Sequence, residues 1–288
     1  MARFDRQSFL GADSDRILTS TTLGIVGLGG GGSHVVQQAA HLGVGGYVIV
    51  DPDSIEDTNL NRLVGGTVAD VKAARSKVDI AERVILAVNP QARITKLRSN
   101  WQDAIMALKE CDIIIGGLDS ISAKDALDAF CRRFLVPYID MGMDVNSVGE
   151  RFIISGQVVL STAGGPCLRC YGIVQDSALA EEATKYGAAG GRPQVVWPNG
   201  VLASIAVGLF VQLICPWHDR PVDRAYLEYD GNLGVVANSS RLVVLGARKC
   251  PHHPGHETGD SDFDVRKSSA PKFTQVKRRS LWRRVLDL

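Results

Sequence analysis

Charge of one sign is what this sequence most clearly lacks. Its 32 Lys and Arg nearly balance 31 Asp and Glu, leaving a formal net charge of +1. Composition therefore points to neither nucleic acid nor a membrane surface as partner. No apolar run looks long enough to span a bilayer, and residues 1–20 are polar and charged, unlike a secretory leader. Six cysteines in 288 residues are too sparse for a disulfide scaffold. A reducing cytoplasm, with some of the thiols on a metal, is the expectation. Internal repeats are missing as well. A chain of this length suits one large domain or two small ones, either with a real core.

What is present is a glycine-packed turn between an apolar run at residues 23–27 and a helix-spaced stretch at 33–42. Gly27, Gly29 and Gly32 form a Gly-x-Gly-x-x-Gly, a pattern that lets the backbone approach a ligand closely. The helix start beyond it offers unpaired N–H groups and the positive end of a dipole, which suits a phosphate. A second apolar run, 47–50, ends in Asp51, where a carboxylate can take the hydroxyls of a ribose. The alternative is a glycine-rich packing turn. The strand, the helix and the acidic residue together favour a nucleotide cradle.

Strands are expected at 23–27, 47–50, 92–97, 112–115 and 136–139, and helices near 33–42, 68–87, 102–108 and 122–134. Apolar strands joined by amphipathic helices predict an α/β, Rossmann-like, doubly wound and mostly parallel sheet, with its ligand at the strands' carboxyl ends. Between the second strand and its helix runs a long connection, VDPDSIEDTNLNR, followed by Lys77. Arg62 and Lys77 are the cations a triphosphate needs, Arg as a bidentate fork and Lys as a point charge. Asn59 stands with them. Asp119, after a fourth apolar run, is placed to hold magnesium. Taken singly, Arg6, Arg62 and Lys77 read as solvated surface charges.

From residue 144 the pattern changes. Antiparallel strands are expected over 145–160, 224–229 and 233–245, an apolar helix over 199–213, and a mobile loop over 175–198. Cys167 and Cys170 form a Cys-x-x-Cys, and with Cys250 and one histidine they make a tetrahedral zinc set. His253 has the x-x spacing from Cys250, and His252 and His256 are the alternatives. Unligated thiols are the competing reading. Cys111, Cys131 and Cys215 lie in or beside apolar runs and read as inert core. Residues 258–288 turn basic and read either as a flexible solvated tail or as a short amphipathic segment for a partner.

RFDRQ, GLGGGGS, VDPDSIEDTNLNR, Lys77, GGLDS and CLRC, in this order, resemble the ThiF/MoeB/HesA adenylating enzymes and the adenylation domains of ubiquitin-activating enzymes. The match covers residues 3–253, so that 1–257 is expected to be one adenylation domain. The resemblance implies a reaction of ATP and magnesium with the C-terminal glycine of a ubiquitin-like or sulfur-carrier protein. It yields an acyl adenylate and pyrophosphate. It implies that Gly27, Gly29, Gly30 and Gly32 line the phosphates, that Asp51 takes the ribose hydroxyls, and that Asp53 belongs to the same cofactor site. It assigns phosphate contacts to Asn59, Arg62 and Lys77, and magnesium to Asp119. Arg6 becomes an arginine that reaches into the partner subunit's site of a homodimer. The cysteine set becomes a structural zinc knuckle, and residues 172–198 a crossover loop over the incoming tail.

The sequence departs from the family's pattern in three places. Leu63 stands where the family often has Gln, and Ser120 where it usually has Asn. No cysteine lies between Tyr171 and Ile214, so adenylation is supported and a covalent thioester step is not. A bacterial-type ubiquitin-like conjugation system, with a conjugating enzyme as a further partner, is the favoured setting. Activation of a sulfur carrier for thiamine or molybdopterin synthesis is the alternative in the same reaction class. Two readings from other classes are a non-catalytic scaffold half, opposed by the complete residue set, and an NAD-dependent oxidoreductase, opposed by the phosphate cations.

Overall fold

A computed structural model describes residues 4–184, 193–215, 217–218, 222–246, 248–253, 255 and 258–259. The basic stretch from residue 260 onward lies outside them, as does the middle of the expected crossover loop, 185–192.

One eight-stranded sheet runs through the chain in the order β3-β2-β1-β4-β5-β6-β7-β8. Strands β1 (Thr22–Val26), β2 (Gly46–Val50), β3 (Arg93–Leu97), β4 (Ile113–Gly116) and the start of β5 (Tyr138–Val148) are parallel. Strands β6 (Arg151–Ser161), β7 (Ala225–Asp230) and β8 (Val235–Asn238) continue it antiparallel. The expected doubly wound sheet with an antiparallel extension is therefore present.

Side chains on a strand alternate between faces, so a sheet covered on both sides needs apolar residues at every position. Leu23, Ile25, Tyr47, Ile49, Ile113 and Ile115 enter one core, beneath helices α2 (Gly30–Leu42), α4 (Lys77–Val88) and α8 (Val196–Ile214). Val26, Val48, Val50 and Ile114 enter the other, against α5 (Ile105–Leu108) and α6 (Ile121–Arg133). Helix α8 is long and apolar enough to cross a membrane by length and composition, which the run-length reading missed. Half of its most apolar window is buried within this fold, where Leu202, Ala206 and Phe210 fill the first core.

The expected helix over 68–87 is two helices, α3 (Val68–Lys72) and α4. Ala74 takes a left-handed φ of 46° between them. The break serves a buried carboxylate. Asp70 accepts from Arg75 Nε at 2.8 Å, from both Arg83 Nη atoms at 2.7 Å, and from the Thr67 N–H and hydroxyl. Arg75 reaches it only if the chain turns after α3. Ser76 then caps α4, accepting from the Asp79 N–H, and Lys77 opens the new helix.

Two later expectations are corrected. Residues 233–245 do not form one strand: Ser239 bonds back to Tyr226 O and to Glu228, ending β8, and Arg241–Leu245 turns into helix α9. The 175–198 stretch is not all loop. Asp176–Thr184 is helix α7, and α8 starts at Val196, three residues earlier than expected, with Pro198 in its first turn, where a missing N–H costs nothing.

The guanidinium of Arg83 holds the Asp70 carboxyl well below the usual carboxylate range. A depressed pKa contributes stability that is present above the unfolded value of about 4 and is lost as pH falls below it. Asp70→Ala is expected to destabilise the fold by about 3 kcal/mol at pH 7. Thermal melts at pH 7 and pH 3 check this: the gap between wild type and variant should narrow in acid.

Candidate nucleotide-binding site

The sheet reverses its winding between β1 and β4, and such a switch point opens a crevice at the strands' carboxyl ends. The turns after both strands face each other there. Gly27 has φ of 86°, and a Cβ on it would lie 2.7 Å from Gly117 O, so the two turns touch backbone to backbone. Gly29 is the N-cap of α2, and the space a side chain would take at that position is open. Gly30 is covered by the buried amide of Asn199 from α8, 2.7 Å from where a Cβ would sit. Gly32 lies in the first turn of α2.

Asp51 ends β2 and is buried. Its Oδ2 accepts the Leu28 N–H at 2.7 Å and its Oδ1 the Asp53 N–H at 2.9 Å. Burial pushes the Asp51 carboxyl up from its usual range, while Lys77 and these two N–H groups oppose the shift. Lys77 Nζ lies 3.7 Å from Asp51 and 2.7 Å from Asp53. The lysine is nearly enclosed, whereas Asp53 is 62% exposed. Asp53 thus holds Lys77.

The long connection folds onto the glycine turn through Ser33, whose hydroxyl accepts the Val64 N–H and donates to Gly30 O. Asn59 is partly committed to this fold: its Oδ1 caps the turn by accepting the Glu56 N–H. The Arg62 guanidinium donates from Nη1 to Thr58 O at 2.8 Å and to Asn61 Oδ1 at 3.0 Å. Asn61 in turn donates to Gln194 O, and Gln194 Nε2 donates to Asp119 Oδ1 at 3.3 Å. A chain of hydrogen bonds therefore runs along the rim from Arg62 to the exposed Asp119. Glu182, from α7, closes the same end of the cleft by accepting the Ile121 and Ser122 N–H groups at 3.0 and 2.8 Å.

Arg6 is not part of this assembly within its own chain. It sits exposed in a 3-10 turn, Asp5–Leu10. Its neighbour Gln7 bonds Leu42 O, and the Phe4 ring packs on Gly43. Both contacts are at the far end of α2, which at 13 residues is about 20 Å long.

Cys167, Cys170, Cys250 and His252 form a second cluster. The Sγ atoms of Cys167 and Cys250 each lie 3.6 Å from that of Cys170, and His252 Nδ1 lies 3.4 Å from both Cys167 and Cys170. These separations match the edges of a tetrahedron with metal–sulfur bonds of about 2.3 Å. Of the candidate histidines, His252 is the one that stands with all three thiols. The Cys167 thiol, and after it the backbone N–H groups of both histidines, turn in on Cys250 and hold its thiol below its ordinary value. That tight turn brings His252 onto the sulfurs and leaves His253 beside Asp128 and Cys167. The other thiols are buried. Burial pushes Cys111 up to about 12, Cys131 well above its ordinary value, and Cys215 upward.

Residues that sequence reasoning missed include Asn199, Gln194, Glu182, and a buried pair, Lys124 and Asp140. Asp140 had a legible signal, since it ends an apolar strand just as Asp51 does.

A family model described as the ThiF family matches residues 4–242. The molybdopterin-synthase adenylyltransferase of Escherichia coli K12 is 29% identical over 177 residues, 59% of this chain and 67% of that protein. A probable adenylyltransferase/sulfurtransferase MoeZ of Mycobacterium tuberculosis is 34% identical over 129 residues, 43% of this chain and 32% of its own length. Ubiquitin-like modifier-activating enzyme 5 of Drosophila persimilis is 28% identical over 141 residues, 44% of this chain and 36% of its own length. The chain thus spans from about a third to two thirds of these relatives. Among solved structures, Escherichia coli MccB with ATP superimposes with a TM-score of 0.64 at 21% identity, covering 83% of this chain and 71% of MccB, which shows a shared fold. With the match extending from the N-terminal arm past β8, this chain belongs to the ThiF family.

Proposed function

We propose that the protein is an adenylyltransferase that joins AMP from ATP to the C-terminal glycine carboxylate of a ubiquitin-like protein, releasing pyrophosphate. The observation that carries this reading is the position of Lys77. It stands 3.7 Å from the buried carboxylate that ends β2 and is held meanwhile by an exposed one. Asp53, the exposed partner, regains water when Lys77 leaves it, so an incoming phosphate can take the lysine over. Asp51 stays in place, fixed by two N–H groups, with lone pairs left for ribose hydroxyls.

The barrier is electrostatic. A carboxylate must approach the α-phosphate, and charge spreads over pentavalent phosphorus. Cations placed beforehand lower that barrier without an acid–base dyad. Lys77 and Arg62 supply such charge, and the N–H groups at the start of α2 face the phosphates. Asp119 is an exposed carboxylate on the rim, suited to magnesium, a hard cation that keeps phosphate oxygens and one or two carboxylates as ligands. Magnesium would neutralise charge on the triphosphate. A hydride-transfer enzyme has no use for this set of cations.

Arg6 lies too far from its own cleft to serve it, which supports a homodimer in which each arm enters its partner's site. Zinc in the Cys3His set would be structural, since all four positions are protein ligands. The free thiols fit a reducing cytoplasm. A ubiquitin-like conjugation system, with a conjugating enzyme receiving the adenylate, is the setting we favour. A sulfur carrier as substrate agrees with the same site equally well.

ATP–pyrophosphate exchange tests the reading, run with the glycine-ending ubiquitin-like and sulfur-carrier proteins of the same genome. Exchange that depends on one of them identifies the substrate class, and none with any of them would leave a scaffold. Asp119→Ala should lower exchange by about 10²–10³. Arg6→Ala should also lower it, and random mixing with Asp119→Ala chains should restore about a quarter of wild-type activity, because one of two sites in each hybrid is complete. Hybrids that form without recovery would refute the crossed arm. For the knuckle, a chelator should lower the Tm, and His252→Ala should lose the metal that His253→Ala keeps, as measured by atomic spectroscopy of the purified chain.

A further inference from the structure

Helix α6 starts two residues after Asp119, with Ser120 as its N-cap, and about one turn on it carries Lys124. The Lys124 side chain is 5% exposed and that of Asp140 is fully enclosed. Lys124 Nζ donates to Asp140 Oδ1 at 2.9 Å, to Oδ2 at 2.8 Å and to Met141 O at 3.1 Å, which uses its donors in full. Asp140 also accepts the Tyr138 hydroxyl at 2.9 Å. An enclosed ion pair brings little net stability, because desolvation offsets most of the attraction. Stability alone is therefore a poor reason for this pair, and its location gives a better one.

Asp140 lies in register with Gly116, the last residue of β4. Next to it, Met141 reaches both turns of the crevice. A Cβ on Gly31 would lie 2.9 Å from Met141 Cε, and one on Gly117 3.1 Å from it. The ammonium thus fastens the first turns of α6 to β5, and β5 abuts the turn that leads to Asp119 on one side and the glycine turn of α2 on the other.

We propose that Lys124 is a positioning residue for the nucleotide site: its pair with Asp140 fixes the separation between Asp119 and the glycine turn, so that the carboxylate and the phosphate cradle meet the same magnesium–ATP. This rests on the magnesium–ATP reading above. Lys124 touches neither ligand and acts through Asp119.

The test compares ATP binding by calorimetry with and without magnesium, in wild type, Lys124→Met and the double variant Lys124→Met/Asp140→Leu. Wild type should bind ATP more tightly when magnesium is added. Lys124→Met should keep metal-free ATP affinity within about twofold but lose at least about tenfold of the magnesium-dependent gain, since small misplacements of a positioned group are that costly. The double variant buries no charge, and its Tm should return toward wild type. The magnesium gain should stay lost, and amide exchange at residues 117–122 of the nucleotide-free chain should be faster than in wild type. A double variant that recovers the gain along with the Tm would show a merely structural role and overturn the inference, as would a folded Lys124→Met with the full gain. Wild type that binds no ATP under either condition would instead bring down the nucleotide reading, and this inference with it.

Discussion

The cleft is arranged around one buried carboxylate. Removing Asp51 from water is costly unless its charge is met, and three separate pieces of chain meet it: the Leu28 N–H from the glycine turn, the Asp53 N–H from the long connection, and Lys77 from the start of α4. Each imposes a further demand. Lys77 arrives at the right place only if a helix begins there. That requires the chain to break after α3, and the break is held by Asp70 with Arg75 and Arg83. A salt-bridge network about two turns away is thus part of what places the cation, although none of its members faces the cleft. The exposed Asp53 completes the logic by holding Lys77 weakly enough to give it up.

Helix α6 is the second organising piece. Its N-terminal end follows Asp119 and is capped by Glu182 of α7. Farther along, Asp125 takes a bidentate pair with Arg169 of the Cys-x-x-Cys turn, at 2.8 and 2.7 Å. Asp128 accepts the Leu168 N–H at 2.8 Å and the Ser161 hydroxyl at 2.6 Å. Arg132 donates to Thr162 O and Gly165 O. The cysteine knuckle is therefore tied to the helix whose other end borders the cleft. The Cys-x-x-Cys turn and α7 lie before residues 185–192, which are outside the described residues, and Gln194 lies after them. A metal at the knuckle is well placed to hold the Cys-x-x-Cys turn without touching substrate.

Much of this was legible because its signals are local. Of the parallel strands, β1, β2 and β4 are apolar runs closed by a glycine turn or an acid, and burial on both faces leaves no alternation to misread. Gly27 and Asp51 announce the cradle by spacing alone. The break between α3 and α4 was not legible: Ala73 and Ala74 are strong helix formers, and only the tertiary demand of Asp70 overrides them. The choice between His252 and His253 depended on which way the backbone turned around Cys250, and a residue count does not contain that. Lys124 and Asp140 are 16 positions apart, on a helix and a strand. A charge on an otherwise amphipathic helix reads as solvent-facing until the strand beside it is known to end in an acid. The exposed Arg6 is the reverse case. Its role came from a resemblance, and what geometry adds is the distance from its own cleft.

The thiols bear on the fate of the acyl adenylate in the proposed reaction. Such an adenylate is a mixed anhydride that reacts with whatever nucleophile reaches it, and a thiol does so as thiolate. Cys111, Cys131 and Cys215 are enclosed, and burial raises all three away from that form. Cys167, Cys170 and Cys250 are gathered into one cluster, where a metal would occupy their lone pairs. All six cysteines of the chain are accounted for in this way. Thiols that are all enclosed or clustered are poorly placed to take an acyl group as thiolates. Under the proposed adenylation, the nucleophile that takes the acyl group is then one supplied from outside these six thiols.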